Sequence, residues 1–245
     1  MAEINFSSVL VTGANRGIGL ELVKQLLGRP KPPQWVFATC RDPKGAGAQG
    51  CLAPIKRGPV VLFPAESTDE GSIKAAAQVA EAHLAGKGLT LLINNAGIMP
   101  PSTLDSMTQE DMLSVYHVNV VGPMEVTKAF LPMLMAAAQQ STEKGLSSSR
   151  AAVINISSIG GSIGNPPSFR MFPVIAYRCS KAALNMLTRC QALEYKARGI
   201  LCAAIHPGWV KTDLGTDKPK ALRLEQVLAC SKGQAIHRSL WEAGS

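Results

Sequence analysis

Thr12-Gly13-Ala14-Asn15-Arg16-Gly17-Ile18-Gly19 is the stretch whose reading decides the fold. It follows an apolar strand-like run, Ser8 to Thr12, and opens a segment with Leu20, Val23 and Leu27 on one helical face. Three glycines at this spacing permit a tight turn, a close approach of backbone to a pyrophosphate, and close packing of helix on strand. The helix then directs its N-terminal amides and the positive end of its dipole at the phosphates. A glycine turn alone is weak evidence. Between the first strand and first helix of an alternating chain, it reads as a dinucleotide site.

The flanking sequence supplies that alternation. Trp35 to Thr39, Val60 to Phe63, Thr90 to Ile93, Ala151 to Ser157 and Ile200 to His206 read as five further strands. Arg29-Pro30-Lys31-Pro32-Pro33 ends the first helix, because proline cannot continue one. Helices are expected over Thr68 to Ala85, from the Thr108-x-x-Asp111 capping box toward Asn119, over Gly122 to Gln140, and from Tyr177 to near Gly199. Asp42 to Pro59, rich in Gly, Pro and Ala, is expected to hold a short or degraded helix. The fold class is therefore α/β, a Rossmann-type doubly wound parallel sheet of six strands. No repeat or long linker divides the chain. Residues 1–215 read as one NADP-binding domain and 216–245 as an atypical tail, part of that domain or partly disordered.

Composition narrows the function classes. With 46% hydrophobic and 17% charged residues, the 245-residue chain can bury a large core. No uninterrupted apolar run approaches the ~18 residues of a membrane span. Met1-Ala2-Glu3 leads almost directly into the first strand without signal-like regions, so a cytoplasmic protein is expected. Cys40, Cys51, Cys179, Cys190, Cys202 and Cys230 show no C-x-x-C or zinc spacing, and the four histidines form no ligand pattern. Free thiols and no metal are expected. The net charge of +8 is spread out and aromatics are 5% of residues, which argues against a nucleic-acid partner.

Cofactor choice has its own argument. An NAD site usually ends the second strand on a carboxylate that holds the ribose hydroxyls. Here that place falls to Cys40, followed by Arg41, whose paired donors suit a 2′-phosphate, and Arg16 adds a second cation. NADP(H) is expected, although Asp42 could instead pair with Arg41. Tyr177 and Lys181 stand at i and i+4 on one helix face. A tyrosine with a solution pKa of ~10 is a poor acid–base group until a nearby ammonium lowers it. Tyr177 could then give a proton to a carbonyl oxygen or take one from an alcohol.

The T-G-x-x-x-G-x-G turn and the Tyr-x-x-x-Lys pair together resemble the short-chain dehydrogenase/reductase family, nearest its sniffer-like carbonyl reductases, over the chain to about Gly215. The resemblance implies further roles. Ser158 would hold the substrate oxygen, Asn119 would hold a water in a proton relay, and Lys181 would bind the nicotinamide ribose. Gly13, Asn15, Arg16, Gly17, Ile18 and Gly19 would cradle the cofactor. Glu66 and Ser67 stand where the family commonly reads the adenine edge with an Asp and a small residue. Asn94-Asn95-Ala96-Gly97 matches the family's N-N-A-G, with Asn95, Ala96 and Gly97 near the ribose. Pro207, Gly208, Val210 and Thr212 match P-G-x-V-x-T, whose last two members would reach the nicotinamide carboxamide.

Two departures bear on activity. Ser158 and Tyr177 stand farther apart than is common in the family, and Asn165 to Ile175 carries Pro166, Pro167, Phe169, Met171, Phe172 and Pro173. An apolar flap favouring hydrophobic carbonyls is one reading, and a self-packed surface loop is the other. Lys218 to Ser245 offers no seventh strand, which would leave a sheet edge exposed and weaken any homo-oligomer. The expected function is NADPH-dependent reduction of an aldehyde, ketone or quinone, a small-molecule substrate, with no membrane partner. The rival reading is an NADP-binding protein of little turnover that acts through partners.

Overall fold

The computed structural model describes residues 6–43, 60–66, 68–164 and 173–208. Six strands form one sheet: β1 (Ser8–Thr12), β2 (Trp35–Cys40), β3 (Val60–Pro64), β4 (Leu91–Asn94), β5 (Ala152–Ile156) and β6 (Leu201–Ile205). Their order is β3-β2-β1-β4-β5-β6, and every pairing is parallel. The sheet of the sequence reading is observed, with strand ends shifted by a residue or so. Residues 44–59, the insertion at 165–172 and the tail from 209 lie outside the described residues, as do the expectations placed on them.

Strand side chains alternate between two cores, because successive residues point to opposite faces. Val9, Val11, Val36, Ala38, Leu91, Ile93, Ala152 and Ile154 pack with Leu22, Val23 and Leu26 of α1 (Gly17–Leu27). Leu10, Phe37, Leu92 and Val153 pack on the other face. There they meet α2 (Glu70–Leu84) through Ile73 and Ala80, and α4 (Gly122–Gln140) through Val126, Phe130 and Leu134. Strands covered on both faces explain why β1, β4 and β5 are buried at every position.

α3 (Gln109–Tyr116) begins at the expected capping box: the Thr108 hydroxyl accepts from the Asp111 amide while the Asp111 carboxylate accepts from the Thr108 amide. The helix does not stop before α4. A π-helical turn, His117–Val121, joins the two. Pro123 gives a cause, since its ring has no N–H for the Asn119 carbonyl and crowds that carbonyl in a regular helix. The united helix, 109–140, is long and apolar enough to cross a bilayer by length and composition. That apolarity emerges only when the two helices are counted as one, and half of the apolar window is buried in the protein's own core.

A buried polar chain ties the sheet to its helices. Asn94 Nδ2 donates to Asn155 Oδ1 at 2.8 Å and to Thr127 Oγ1 at 3.1 Å. Asn155 Nδ2 donates to Thr188 Oγ1 at 2.8 Å and to Gln191 Oε1 at 3.1 Å, reaching α5 (Ile175–Tyr195). Asn155 serves as both donor and acceptor, so its loss leaves several buried groups unpaired. Asn155→Leu should lower unfolding free energy by roughly 2–4 kcal/mol. Urea unfolding of parent and variant measures this, and a change under about 0.5 kcal/mol would show the network to be dispensable.

Candidate functional site

All six strands run the same way, so their C-terminal ends share one edge of the sheet. Chain order reverses beside β1, which pairs with β2 on one flank and β4 on the other. Connections diverge there and open a crevice, the usual ligand position in such sheets. The glycine turn follows β1 and Asn95-Ala96-Gly97 follows β4, which places both sequence motifs at that crevice.

Hydrogen bonds stitch the two loops together. Thr12 Oγ1 accepts from the Asn95 and Ala96 amides at 3.0 and 3.1 Å, and Asn95 Nδ2 donates to the Thr12 and Gly13 carbonyls at 2.9 and 3.1 Å. Gly13 adopts φ +64°, and a Cβ there would lie 3.0 Å from Ala96 Cα. At Gly19 a Cβ would run into the Gly13 carbonyl and the Asn95 amide. α1 begins at Gly17 with no side-chain cap on its first N–H groups and no acidic residue in its first turn. By contrast, α2 is capped by Asp69 and α3 by Thr108. A helix start without a side-chain cap, behind a glycine-rich turn, fits the phosphates of a dinucleotide.

Arg41 stands just beyond the end of β2. Its Nε lies 3.8 Å from Glu66 Oε2, so its ion-pair partner is Glu66 rather than Asp42, the alternative raised by the sequence. Thr68 Oγ1 donates to the other Glu66 oxygen at 3.2 Å, and the Glu66 amide donates to Ser72 Oγ at 3.0 Å. Asp42 instead acts on Cys40: burial first, then that carboxylate, raises the thiol above its ordinary value. Ser67, Val210 and Thr212 lie outside the described residues. Pro207 and Gly208 follow β6, with Gly208 at φ +79°.

The four candidate catalytic residues converge from three elements. Ser158, just past β5, accepts from the Gly160 amide at 3.0 Å and lies near enough to the Tyr177 phenol to act on its pKa. Lys181, one turn along α5 from Tyr177, is buried and donates to the Ile156 carbonyl at 2.7 Å. Its Nζ stands 5.5 Å from the Tyr177 ring centroid. Burial drives the lysine down to about 8. The Tyr177 phenol is raised by burial and partly held back by Ser158. This differs from the lysine-driven lowering expected from the sequence, because Lys181 engages the Ile156 carbonyl and desolvation dominates at the phenol.

Asn119, fully buried within the π turn, clamps the loop after β4. Its Oδ1 accepts from the Ile98 amide and its Nδ2 donates to the Ile98 carbonyl, both at 2.9 Å. The second Nδ2 proton goes to Ser180 Oγ at 2.9 Å. Sequence reading passed over Ser180, and also Asn185, whose Oδ1 accepts from Ser157 Oγ at 2.6 Å. A signal was present. Tyr177, Lys181, Asn185 and Thr188 form a polar stripe at helical spacing, while Met186 and Leu193 lie exposed. Polar residues on the packed face of a helix mark positions whose partners come from distant segments.

The family model for short chain dehydrogenase matches residues 7–223. The chain belongs to the short-chain dehydrogenase family. As a member it is an oxidoreductase acting between alcohol and carbonyl groups. Carbonyl reductase from chicken fatty liver, solved with NADPH bound, is 50% identical with a TM-score of 0.88, over 94% of this chain and 89% of that one. The carbonyl reductase Sniffer of D. melanogaster is 33% identical with a TM-score of 0.85, over 96% and 94%. The short chain dehydrogenase gsfK of Penicillium aethiopicum is 34% identical, over 86% of this chain and 78% of its own length. Human 17-beta-hydroxysteroid dehydrogenase type 2 is 32% identical over 92% of this chain, which spans 53% of that protein.

The Lys181 shift makes a stability prediction for this short-chain dehydrogenase. Folding lowers its pKa from 10.5 to about 8, so between those values the unfolded chain holds a proton that the folded chain has lost. Stability conferred at this site therefore rises with pH across that window. Lys181→Met should stabilise the cofactor-free protein at pH 7 by roughly 1–3 kcal/mol, an advantage that fades by about pH 10.5. Urea unfolding at pH 7 and pH 10 tests it; a variant less stable at pH 7 would contradict it.

Proposed function

We propose that this short-chain dehydrogenase reduces an aldehyde, ketone or quinone using NADPH. The observation that carries the reading is the grouping of Ser158 and Tyr177 with buried Lys181, whose Nζ stands 5.5 Å from the Tyr177 ring, near the loops of a phosphate-fitting crevice. The likeness to carbonyl reductases over nearly the whole chain supports it and speaks against a binding protein without turnover. The apolar make-up of the 165–175 insertion favours hydrophobic substrates.

NADPH, when bound, supplies the hydride, and the chain's own residues manage charge and protons. The raised Tyr177 pKa keeps the phenol protonated near neutrality, the form a reductase needs in order to donate to the carbonyl oxygen. The Ser158 hydroxyl holds that oxygen and offsets its growing negative charge. With a pKa of about 8, Lys181 is mostly protonated at pH 7, and its ammonium stabilises the phenolate left after proton transfer. Both Asn119 amide protons are committed to Ile98 and Ser180. Its relay role would therefore fall to the main-chain carbonyl, which Pro123 deprives of the helical donor four residues on.

Arg41 is the residue for the 2′-phosphate of NADPH, and the nearby Glu66 carboxylate steadies its guanidinium. Glu66, engaged this way, is a poorer candidate for the adenine edge than its position implied.

NADPH absorbance with a reactive dicarbonyl substrate should fall with time for the parent. It should fall at least about 100-fold more slowly for Tyr177→Phe, which loses only the acid. Unchanged turnover in that variant would remove Tyr177 from the chemistry. Arg41→Ala should weaken NADPH binding by about 10-fold or more while leaving NADH binding within about two-fold. Equal losses for both cofactors, measured by fluorescence titration, would show that Arg41 does not read the 2′-phosphate.

A further inference from the structure

The catalytic helix α5 and the loop after β4 belong to elements far apart in sequence, yet both must sit correctly around one reacting carbon. Ser180 joins them. Its buried hydroxyl accepts the Asn119 Nδ2 proton at 2.9 Å and donates its own to the Tyr177 carbonyl at 2.7 Å. Asn119 in turn holds both the amide and the carbonyl of Ile98, the residue that follows Asn95-Ala96-Gly97. The line therefore runs from the cofactor-side loop through Ile98, Asn119 and Ser180 to the backbone of Tyr177.

Each group in this line has a partner, and the Asn119–Ser180 contact at its centre is buried. Asn119 spends both amide protons and Ser180 its only one, so neither side chain has a second arrangement of equal quality. The Tyr177 carbonyl can also be met by the ordinary helical N–H four residues on. The hydroxyl is thus unnecessary for helix formation, and what it adds is registration of the helix against the π turn.

We propose that Ser180 is a positioning residue that fixes Tyr177 relative to the cofactor loop by locking the Asn119 amide. The inference rests on Tyr177 being the proton donor. Its hydrogen-bond part stands independently of turnover. Removing the hydroxyl leaves one Asn119 proton buried and unpaired, and the amide regains freedom to turn away from Ile98. Reacting groups displaced by a fraction of an ångström lose rate while cofactor affinity is little changed.

Two measurements on the full chain decide the matter, with Ser180→Ala and Ser180→Thr compared with the parent. The first is hydrogen exchange at the Ile98 amide, referenced to the Leu92 amide within the sheet. Ser180→Ala should exchange at Ile98 about 10-fold faster with Leu92 unchanged, and Ser180→Thr, which keeps a hydroxyl, should stay near the parent. The second is steady-state kinetics: kcat should fall about 10-fold in Ser180→Ala, KM for NADPH should stay within about two-fold, and Ser180→Thr should recover most of the rate. Parent-like exchange at Ile98 in Ser180→Ala would overturn the lock, and so would a threonine variant as impaired as the alanine one. Faster exchange with unchanged kcat would keep the lock but overturn its role in positioning. A parent without turnover whose Ile98 amide still responds would defeat the reductase reading and the positioning role that rests on it, leaving the lock established.

Discussion

A lysine ammonium held out of water against a single backbone carbonyl is costly, and the neighbourhood of Lys181 is arranged around that cost. Its bond to Ile156 fixes the end of β5 against α5. Ser157 and Asn185 repeat the tie beside it, while Asn155, Thr188 and Gln191 continue it deeper into the layer. Apolar contact would have joined the same two elements with less penalty. Using polar groups keeps a charge within reach of the phenol, and the penalty appears as a lysine pulled down to about 8.

The sheet and the helix starts divide the remaining work. A parallel sheet brings the C-terminal ends of β1, β4 and β5 to one edge, and each leads into a different part of the candidate site. The glycine turn after β1 fits phosphate, the loop after β4 is held by Asn119, and Ser158 follows β5. α2 and α3 close their first turns with Asp69 and Thr108, whereas the N-cap residue of α1, the helix that follows the glycine turn, gives no side-chain cap.

Strand positions were legible because burial on both faces requires continuous apolar runs, and a short run bounded by turn residues suits little else. The Thr108 box was legible because it is purely local chemistry. Tyr177 and Lys181 were legible as a pair because four residues on a helix are neighbours by geometry. The direction of the Tyr177 shift was not, since it depends on how much water the fold excludes and on where the lysine points. Nor was the pairing of Arg41 with Glu66 rather than Asp42, which requires β2 and β3 to lie side by side in their observed register.

By itself, then, the order of residues determined the alternating architecture, the glycine turn and the pairing of Tyr177 with Lys181, because each rests on spacing within a few positions of the chain. Tertiary structure alone decided the joining of Asn119 to Ser180 across 61 positions, the convergence of Ser158 on Tyr177, and the burial of Lys181. The physical reason is the same in each case. Hydrogen bonds and desolvation between distant segments depend on which faces the packed core brings together, and no local pattern encodes that.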